Sequence, residues 1–239
     1  MPKNKYVDFV SDEHFLKCVK HVCDSYLDIS RFKNSDEVKE FVSRNSLDSF
    51  KMIFDVMNMK GAFESWMSSE IIRQGDKTVT NRIGDCHQML LGGVDGWENL
   101  KTGNELGIDL RKKDNSIFIE LKNKWNTVKG EDQKNVFDKL KKVADKYKKA
   151  IVYYAYITPK NPSSGEKIWK PSQRTPDERI KEAWSFKVYE IVTEDKNALK
   201  NVWKVLPQGI SDILKKKINL NKEDEKKFLD IFDSSFGSG

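Results

Sequence analysis

The sequence predicts an α/β protein in which a central mixed β-sheet is flanked by helices, with extra helices at the N- and C-terminal ends. Apolar residues recur at helical spacing in much of the region before residue 92, and the pattern changes to alternation at residues 106–122. An amphipathic, basic helix follows, and its predicted buried stripe consists of Val136, Phe137, Leu140, Val143 and Tyr147. The apolar run at 150–158 then predicts a deeply buried strand. Helices and strands in this order are typical of one mixed sheet with helical layers.

Each element follows from its local pattern. The segment 10–60 is predicted to be helical, in part because Val38, Phe41 and Val42 recur after Ser35, a suitable helix cap. The other predicted helices are 61–74, 80–91, 131–149, 195–206 and 221–233, and the predicted strands are 106–111, 116–122, 150–158 and 186–192. Residues 159–177 are rich in Pro, Ser and Lys, which predicts a long loop.

The chain length indicates one domain with its own core. The 239 residues are 38% hydrophobic and 33% charged, which excludes a disordered chain. We expect a single domain over 1–239, with an N-terminal helical part (1–60), a core (61–158), and a loop with a C-terminal part (159–239). No internal repeat, P-loop or dinucleotide-binding glycine pattern is present.

Charge and cysteine content restrict the class of function. The net charge of +6 fits either an ordinary solvated surface or a polyanionic partner. Three cysteines without a CxxC pair, and three histidines, do not form a zinc motif, and we expect a reducing cytoplasm. No stretch approaches the roughly 20 apolar residues that span a bilayer, so neither secretion nor membrane insertion is expected.

The alternating segment predicts a β-hairpin that carries the chemistry. If Asp114 and Asn115 form a two-residue turn, Lys113 faces Ser116, and the same register places Asp109 opposite Glu120. Side chains alternate along a strand, so Lys122 lies on the same face as Glu120. The other face is the expected core face, and it collects Ile108, Leu110, Ile117, Ile119 and Leu121.

Two acids directly opposite each other are destabilising unless their charge is offset. A divalent cation between Asp109 and Glu120 is the simplest remedy, and Mg²⁺ is usually held by one or two carboxylates. Lys122 would then orient or deprotonate a water molecule beside the metal. Other acid-x-Lys triplets occur in the chain, but Glu120 alone has both an apolar strand and a facing acid. A hairpin face with ordinary salt bridges is the alternative interpretation.

The hairpin resembles a known nuclease signature. Gly107-Ile108-Asp109-Leu110 and Ile119-Glu120-Leu121-Lys122 resemble the PD…(D/E)xK motif of a superfamily that includes most type II restriction endonucleases, with Ile108 at the position of the proline. One branch, which cleaves GGNCC-like palindromes, is similar over most of residues 60–230. That likeness is most specific over 70–127, and its residues are Glu70, Arg73-Gln74, Asp76-Lys77, Asn81, Ile83-Gly84, His87-Gln88, Leu91-Gly92 and Glu120-Leu121-Lys122-Asn123-Lys124-Trp125-Asn126-Thr127.

The resemblance implies a restriction-endonuclease-like core over 61–158 and Mg²⁺-dependent hydrolysis of DNA by a homodimer that cuts both strands. It also implies that Asp109 and Glu120 hold the metal while Lys122 positions the water. Glu70 is the expected additional catalytic carboxylate, with Glu64 as its competitor. His87 is either near the metal or a hydrogen-bonded core residue, and Gln133 either contacts the site or DNA or lies on a solvated helix face.

DNA contacts are expected in two places. Lys124 and Asn126 directly follow the catalytic strand. Lys170, Gln173 and Arg174 lie in the long loop, whose donors suit base edges and phosphates. The predicted function is a type II site-specific deoxyribonuclease of a restriction-modification system. The alternatives are a repair or recombination nuclease of the same fold and a catalytically silent DNA-binding protein.

Overall fold

A computed structural model describes residues 4–26, 40, 47–60, 63–101, 103–217 and 221–237. The chain divides into two compact units: Met1–Lys20 with Gly84–Gly239, and His21–Ile83. The described helices are α1 (Asp12–Cys23), α2 (Ser49–Asn58), α3 (Phe63–Gly92), α4 (Glu131–Lys146), α5 (Phe186–Thr193), α6 (Ala198–Leu214) and α7 (Lys222–Phe236). The strands are β1 (Trp97–Asn99), β2 (Leu110–Lys112), β3 (Ile117–Lys124), β4 (Ile151–Thr158), β5 (Gly165–Ile168) and β6 (Ile180–Trp184).

The first unit is built on a six-stranded mixed sheet with the order β1-β2-β3-β4-β6-β5. The β1–β2–β3 part is antiparallel, β4 runs parallel to both β3 and β6, and β5 is antiparallel to β6. Helix α4 connects the parallel strands β3 and β4, as a parallel crossover requires. The predicted fold class, an α/β protein with a central mixed sheet flanked by helices, is confirmed.

The face of the sheet that carries Phe118 packs against α4. Three residues of the predicted helical stripe, Phe137, Leu140 and Val143, are buried there together with Val152 and Ile180 of the neighbouring strands. Val136 and Tyr147 are partly buried against the same cluster. The predicted stripe is therefore confirmed, and it determines which face of α4 packs against the sheet.

The prediction for Ile108 was wrong. We expected it on the face that carries Ile119 and Leu121, but it packs in the cluster of Phe118 and α4. The cause is local: β2 begins only at Leu110, so the strict alternation of side chains does not extend back to Ile108. Leu110, Ile119 and Leu121 are buried as expected, and Ile117 is half-buried.

The strand predicted at 186–192 is also wrong, because this segment is helix α5. The strand lies earlier, at Ile180–Trp184, and ends where Ser185 takes a positive φ of 59°. The aromatic and β-branched residues of this segment favour a strand on local propensity. Burial of Phe186, Val188, Tyr189 and Val192 along the helix overrides that propensity.

The remaining differences concern short or merged elements. The short strand β5 lies in the segment that we expected to be a long loop, and β1 lies where we predicted no strand. Predicted helices 61–74 and 80–91 form the single helix α3, which continues through the buried Gly75. The helix expected from Val38, Phe41 and Val42 lies outside the described residues.

The second unit contains α2 and the first part of α3. Asp48 caps α2 by accepting hydrogen bonds from the backbone N–H groups of Phe50 and Lys51, both at 3.0 Å. Trp66 of α3 donates its indole N–H to Asp55 of α2 at 3.3 Å, which joins the two helices within this unit. Among the described residues of the whole chain, we find no helix with the length and apolar content that crossing a bilayer requires.

Candidate active site

The hairpin between β2 and β3 has the register expected from the sequence. Leu110 pairs with Ile119 and Arg111 pairs with Phe118, which places Asp109 level with Glu120. The turn is longer than two residues, because the strands end at Lys112 and resume at Ile117. Asn115 has a positive φ of 60°, and Asp114 accepts hydrogen bonds from the Ser116 amide at 2.9 Å and hydroxyl at 2.6 Å.

Asp109, Glu120 and Lys122 come together on this hairpin. The Lys122 ammonium donates to Oε1 of Glu120 at 2.6 Å and lies 3.9 Å from Oδ2 of Asp109. Oδ2 of Asp109 also accepts from the backbone N–H of Leu121 at 2.7 Å, so the first acid is fixed directly against the second strand. The expected meeting of two acids and an amine is therefore present.

Lys139 of α4 is a fourth charged group that the sequence analysis did not single out. Its Nζ lies 2.7 Å from Oε2 of Glu120 and donates to the Gly107 carbonyl at 2.6 Å. The available signal was its position on the helix, directly before the buried Leu140 and one turn after Val136. A lysine beside the apolar stripe of a crossover helix is directed toward the sheet rather than away from it.

Burial gives Asp109 an unusual titration. Burial, and secondly the neighbouring negative charge of Glu120, raise its pKa from an ordinary value of 3.8 to about 6. Lys122, the Leu121 N–H and Lys139 act in the opposite direction. Because Asp109 and Glu120 are shielded from water and close together, the negative charge of Glu120 favours the neutral form of Asp109. An added cation would favour the ionised form of Asp109.

The donor set fits a hard divalent cation. Carboxylate oxygens are the ligands that Mg²⁺ and similar ions prefer, and one or two protein carboxylates suffice when water and phosphate complete the shell. Asp109, directly before β2, and Glu120 of β3 supply two such groups. Over the ranges that the structure describes, no cluster of three or more His, Cys, Asp or Glu side chains forms a more complete cage.

His87 has the role of a core histidine. It is half-buried, and its Nδ1 lies 2.7 Å from the hydroxyl of Tyr189 on α5. Burial alone lowers its pKa from 6.5 to about 4, so the ring is neutral at physiological pH. Of the two interpretations, the structure favours the hydrogen-bonded core residue.

Glu70 lies in the second unit, where its carboxylate is already occupied. Arg73 donates to it from Nε at 2.7 Å and Gln74 donates at 2.8 Å, so its pKa is lowered mainly by the Arg73 hydrogen bonds. Glu70 is buried, whereas its competitor Glu64 is exposed. A part for either residue in catalysis stays a prediction.

The expected DNA-contacting residues divide into two groups. Lys124 and Asn126 are exposed where β3 ends, as is Lys170 in the long loop. Arg174 and Gln173 instead tie that loop to α4. Arg174 forms a two-point ion pair with Asp138 at 2.7 Å, and Gln173 accepts from Lys134 at 2.6 Å. Gln133 donates to the Val128 carbonyl at 3.2 Å and lines a cleft of about 550 Å³ beside Trp169 and Lys170.

Comparison with known proteins assigns the family. The sequence profile described as Eco47II restriction endonuclease matches residues 7–215. The chain is 31% identical over 225 residues to the type II restriction enzyme Sau96I of Staphylococcus aureus, which covers 90% of this chain and 83% of that protein. It is 28% identical over 246 residues to the type II restriction enzyme Eco47II of Escherichia coli, covering 97% and 99% of the two chains. The chain therefore belongs to the Eco47II family of type II restriction endonucleases.

Proposed function

We propose that this chain is the nuclease of a restriction-modification system and hydrolyses both strands of DNA at a short palindromic site, with Mg²⁺ as cofactor. The observation that carries the proposal is the meeting of Asp109, Glu120 and Lys122 on one hairpin. Family membership supports the reaction class, since type II restriction endonucleases generally use divalent metal ions. The resemblance to the GGNCC-cleaving branch supports a target of that kind, met in the cytoplasm.

In this proposal Asp109 and Glu120 are the residues that hold the metal. When bound, Mg²⁺ would supply Lewis-acid polarisation of the phosphate and a lower pKa for a bound water. The protein fixes the two carboxylates beforehand: the Leu121 N–H holds Asp109, and the ammonium of Lys122 holds Oε1 of Glu120. Groups that are already positioned lose less freedom when the transition state forms.

Lys122 is the residue proposed to act on the attacking water. Its ammonium lies between the two acids, at 2.6 Å from Glu120 and 3.9 Å from Asp109, which is where a nucleophile beside the metal would be oriented. Its positive charge also stabilises the additional negative charge that develops on the phosphate oxygens. Glu70 is kept as a proposed third carboxylate, and Lys124, Asn126, Lys170, Gln173 and Arg174 as proposed DNA contacts.

The test is digestion of a plasmid of known sequence with Mg²⁺, followed by mapping of the ends. We expect discrete bands from the wild type and a loss of rate of at least about 10²–10³-fold in Glu120→Gln and Lys122→Ala. DNA binding should be largely kept, because both substitutions remove groups that are proposed to act in hydrolysis and leave the exposed charges of the protein surface in place.

Matched controls separate the site from general charge effects. Glu223→Gln and Lys142→Ala change exposed charges on α7 and α4, and they should cut at the wild-type rate. Full activity in Glu120→Gln would contradict the assignment of Glu120 to the active site. Ragged or end-dependent products would favour a repair or recombination nuclease, and salt-sensitive binding without hydrolysis would favour a silent DNA-binding protein.

A further inference from the structure

One ammonium group links the two segments that carry the acids. Lys139 contacts Oε2 of Glu120 on β3 and donates to the carbonyl of Gly107, two residues before Asp109. The contacts are 2.7 and 2.6 Å long, and both are made by the same Nζ atom. Because Lys139 comes from the crossover helix α4, it connects three separate parts of the unit at the acid pair.

The backbone at Gly107 is shaped to receive the lysine stem. A Cβ atom at this position would lie 3.0 Å from Cδ of Lys139, closer than ordinary van der Waals contact. Gly107 also has a φ of 62°, a conformation that favours glycine. The lysine stem therefore lies against the bare backbone at Gly107.

The two lysines at Glu120 differ in how easily they can leave. Lys122 is on the same strand as Glu120, and its side chain is 23% exposed. Lys139 reaches in from another element by a long flexible stem, and its side chain is 31% exposed while that of Glu120 is only 6% exposed. Lys139 can therefore turn toward solvent without breaking the hairpin, and in doing so it frees Oε2.

We propose that Lys139 is a positioning residue that serves as an internal counterion, holding Glu120 beside Asp109 until a divalent cation takes its place. This inference rests on the metal site proposed above. In the metal-free enzyme the ammonium offsets the repulsion between the buried Glu120 and the partly buried Asp109, a role that the ion assumes when it binds. The two cations compete for the same carboxylate oxygen, so each weakens the binding of the other.

Lys139→Met tests this by removing the charge while keeping a stem of similar length. Without metal, the melting temperature should fall by about 3–6 °C, because the acid pair loses one of its two ammonium partners. The Kd for Mg²⁺ should fall at least about tenfold, because the ion no longer displaces an ammonium and meets a more negative site. At saturating Mg²⁺ the melting temperature should return close to that of the wild type.

The measurements are thermal denaturation and calorimetric titration with MgCl₂ on the full chain. Lys142→Met on the same helix is the matched control, and Glu120→Gln should abolish the response to metal. Lys139→Gln is the second neutral variant if Lys139→Met does not fold. Lys139→Arg, which keeps the charge, should restore metal-free stability.

Each outcome separates this inference from the proposed function. An Mg²⁺ affinity in Lys139→Met that is unchanged or weaker overturns the inference, as does an equal loss of stability with and without metal. In either case the wild type still responds to Mg²⁺, so the metal site stands. A wild type that shows no response to Mg²⁺ overturns the metal site and the inference with it.

Discussion

At the scale of single residues, the proposed metal ligand Asp109 has a cost in stability. Its pKa in the folded protein is about 6, against an ordinary value of 3.8, because burial and the charge of Glu120 favour the neutral form. The folded state thus binds this proton more tightly than the unfolded state does. The resulting stabilisation is complete below about pH 4 and is lost as the pH rises through 6.

Asp109→Asn is therefore expected to stabilise the metal-free protein at pH 8. The neutral amide avoids the cost of ionising an acid that is shielded from water, which we put at about 3 kcal/mol in the free energy of unfolding. The gain should shrink toward zero near pH 4, where the wild-type acid is itself neutral. Urea denaturation at several pH values measures this, and DNA cleavage should be lost in the same variant.

Asp114→Asn is the matched control for that change. Asp114 is exposed in the turn, and hydrogen bonds from the Ser116 hydroxyl and amide lower its pKa. Its removal should therefore destabilise the protein at pH 8, the opposite sign from Asp109→Asn. An Asp109→Asn variant less stable than the wild type at pH 8 would contradict the assigned titration.

The meeting of Asp109, Glu120 and Lys122 was predictable because the period of a strand and the place of a turn fix which side chains face each other. Lys139 was not predictable in the same way. Its contact depends on the rotation and height of α4 above the sheet, which tertiary packing of the stripe around Leu140 decides. The prediction of which face carries Ile108 was wrong for a related reason, because β2 begins only after Ile108.

At the scale of elements, the long and strongly patterned segments were predicted well. The run at 150–158 and the stripe of α4 each bury enough apolar surface to decide their own structure. Short strands such as β1 and β5 depend on pairing with neighbours that local sequence does not reveal. The segment at 186–192 became a helix because β6 ends at Trp184 and the positive φ of Ser185 turns the chain there, and the direction of the chain after that point is set by tertiary packing.

The contact between Gly107, just before the hairpin strands, and Lys139 of α4 gives a prediction at this scale. Gly107→Ala should destabilise the protein by about 2 kcal/mol, from the strained φ and from the close contact with Lys139. It should also slow cleavage, because the backbone that carries Asp109 must shift. Chemical denaturation and initial cleavage rates on the same preparations measure both effects.

Gly96→Ala is the matched control for Gly107→Ala. Gly96 has a positive φ of 77°, but a Cβ atom there meets nothing within 4 Å. Gly96→Ala should show the conformational cost alone and keep wild-type activity. Equal effects of the two substitutions on stability and on rate would show that the contact with Lys139 has no separate importance.

At the scale of the whole molecule, one chain presents one pair of acids on the hairpin. A palindromic DNA site has two equivalent scissile bonds related by a two-fold axis, and a symmetric pair of chains matches that symmetry. On this ground of symmetry we propose that the enzyme acts as a homodimer.

Sedimentation velocity should therefore show a species of twice the chain mass, alone or on a duplex that contains the cleavage site. The same duplex with a scrambled site is the control, and it should bind more weakly and lose binding steeply with salt. A chain that stays monomeric on its cleavage site and still cuts both strands at once would contradict the homodimer.

The acid pair and both lysines lie within residues 107–139, on a hairpin and the helix that follows it. The long loop that is expected to contact DNA begins only after β4. Because the two proposed metal ligands and both lysines are encoded in one short, uninterrupted stretch of gene, recombination could transfer this part of the proposed site whole between related enzymes. Substitutions that alter target preference could then accumulate elsewhere in the chain without passing through inactive intermediates.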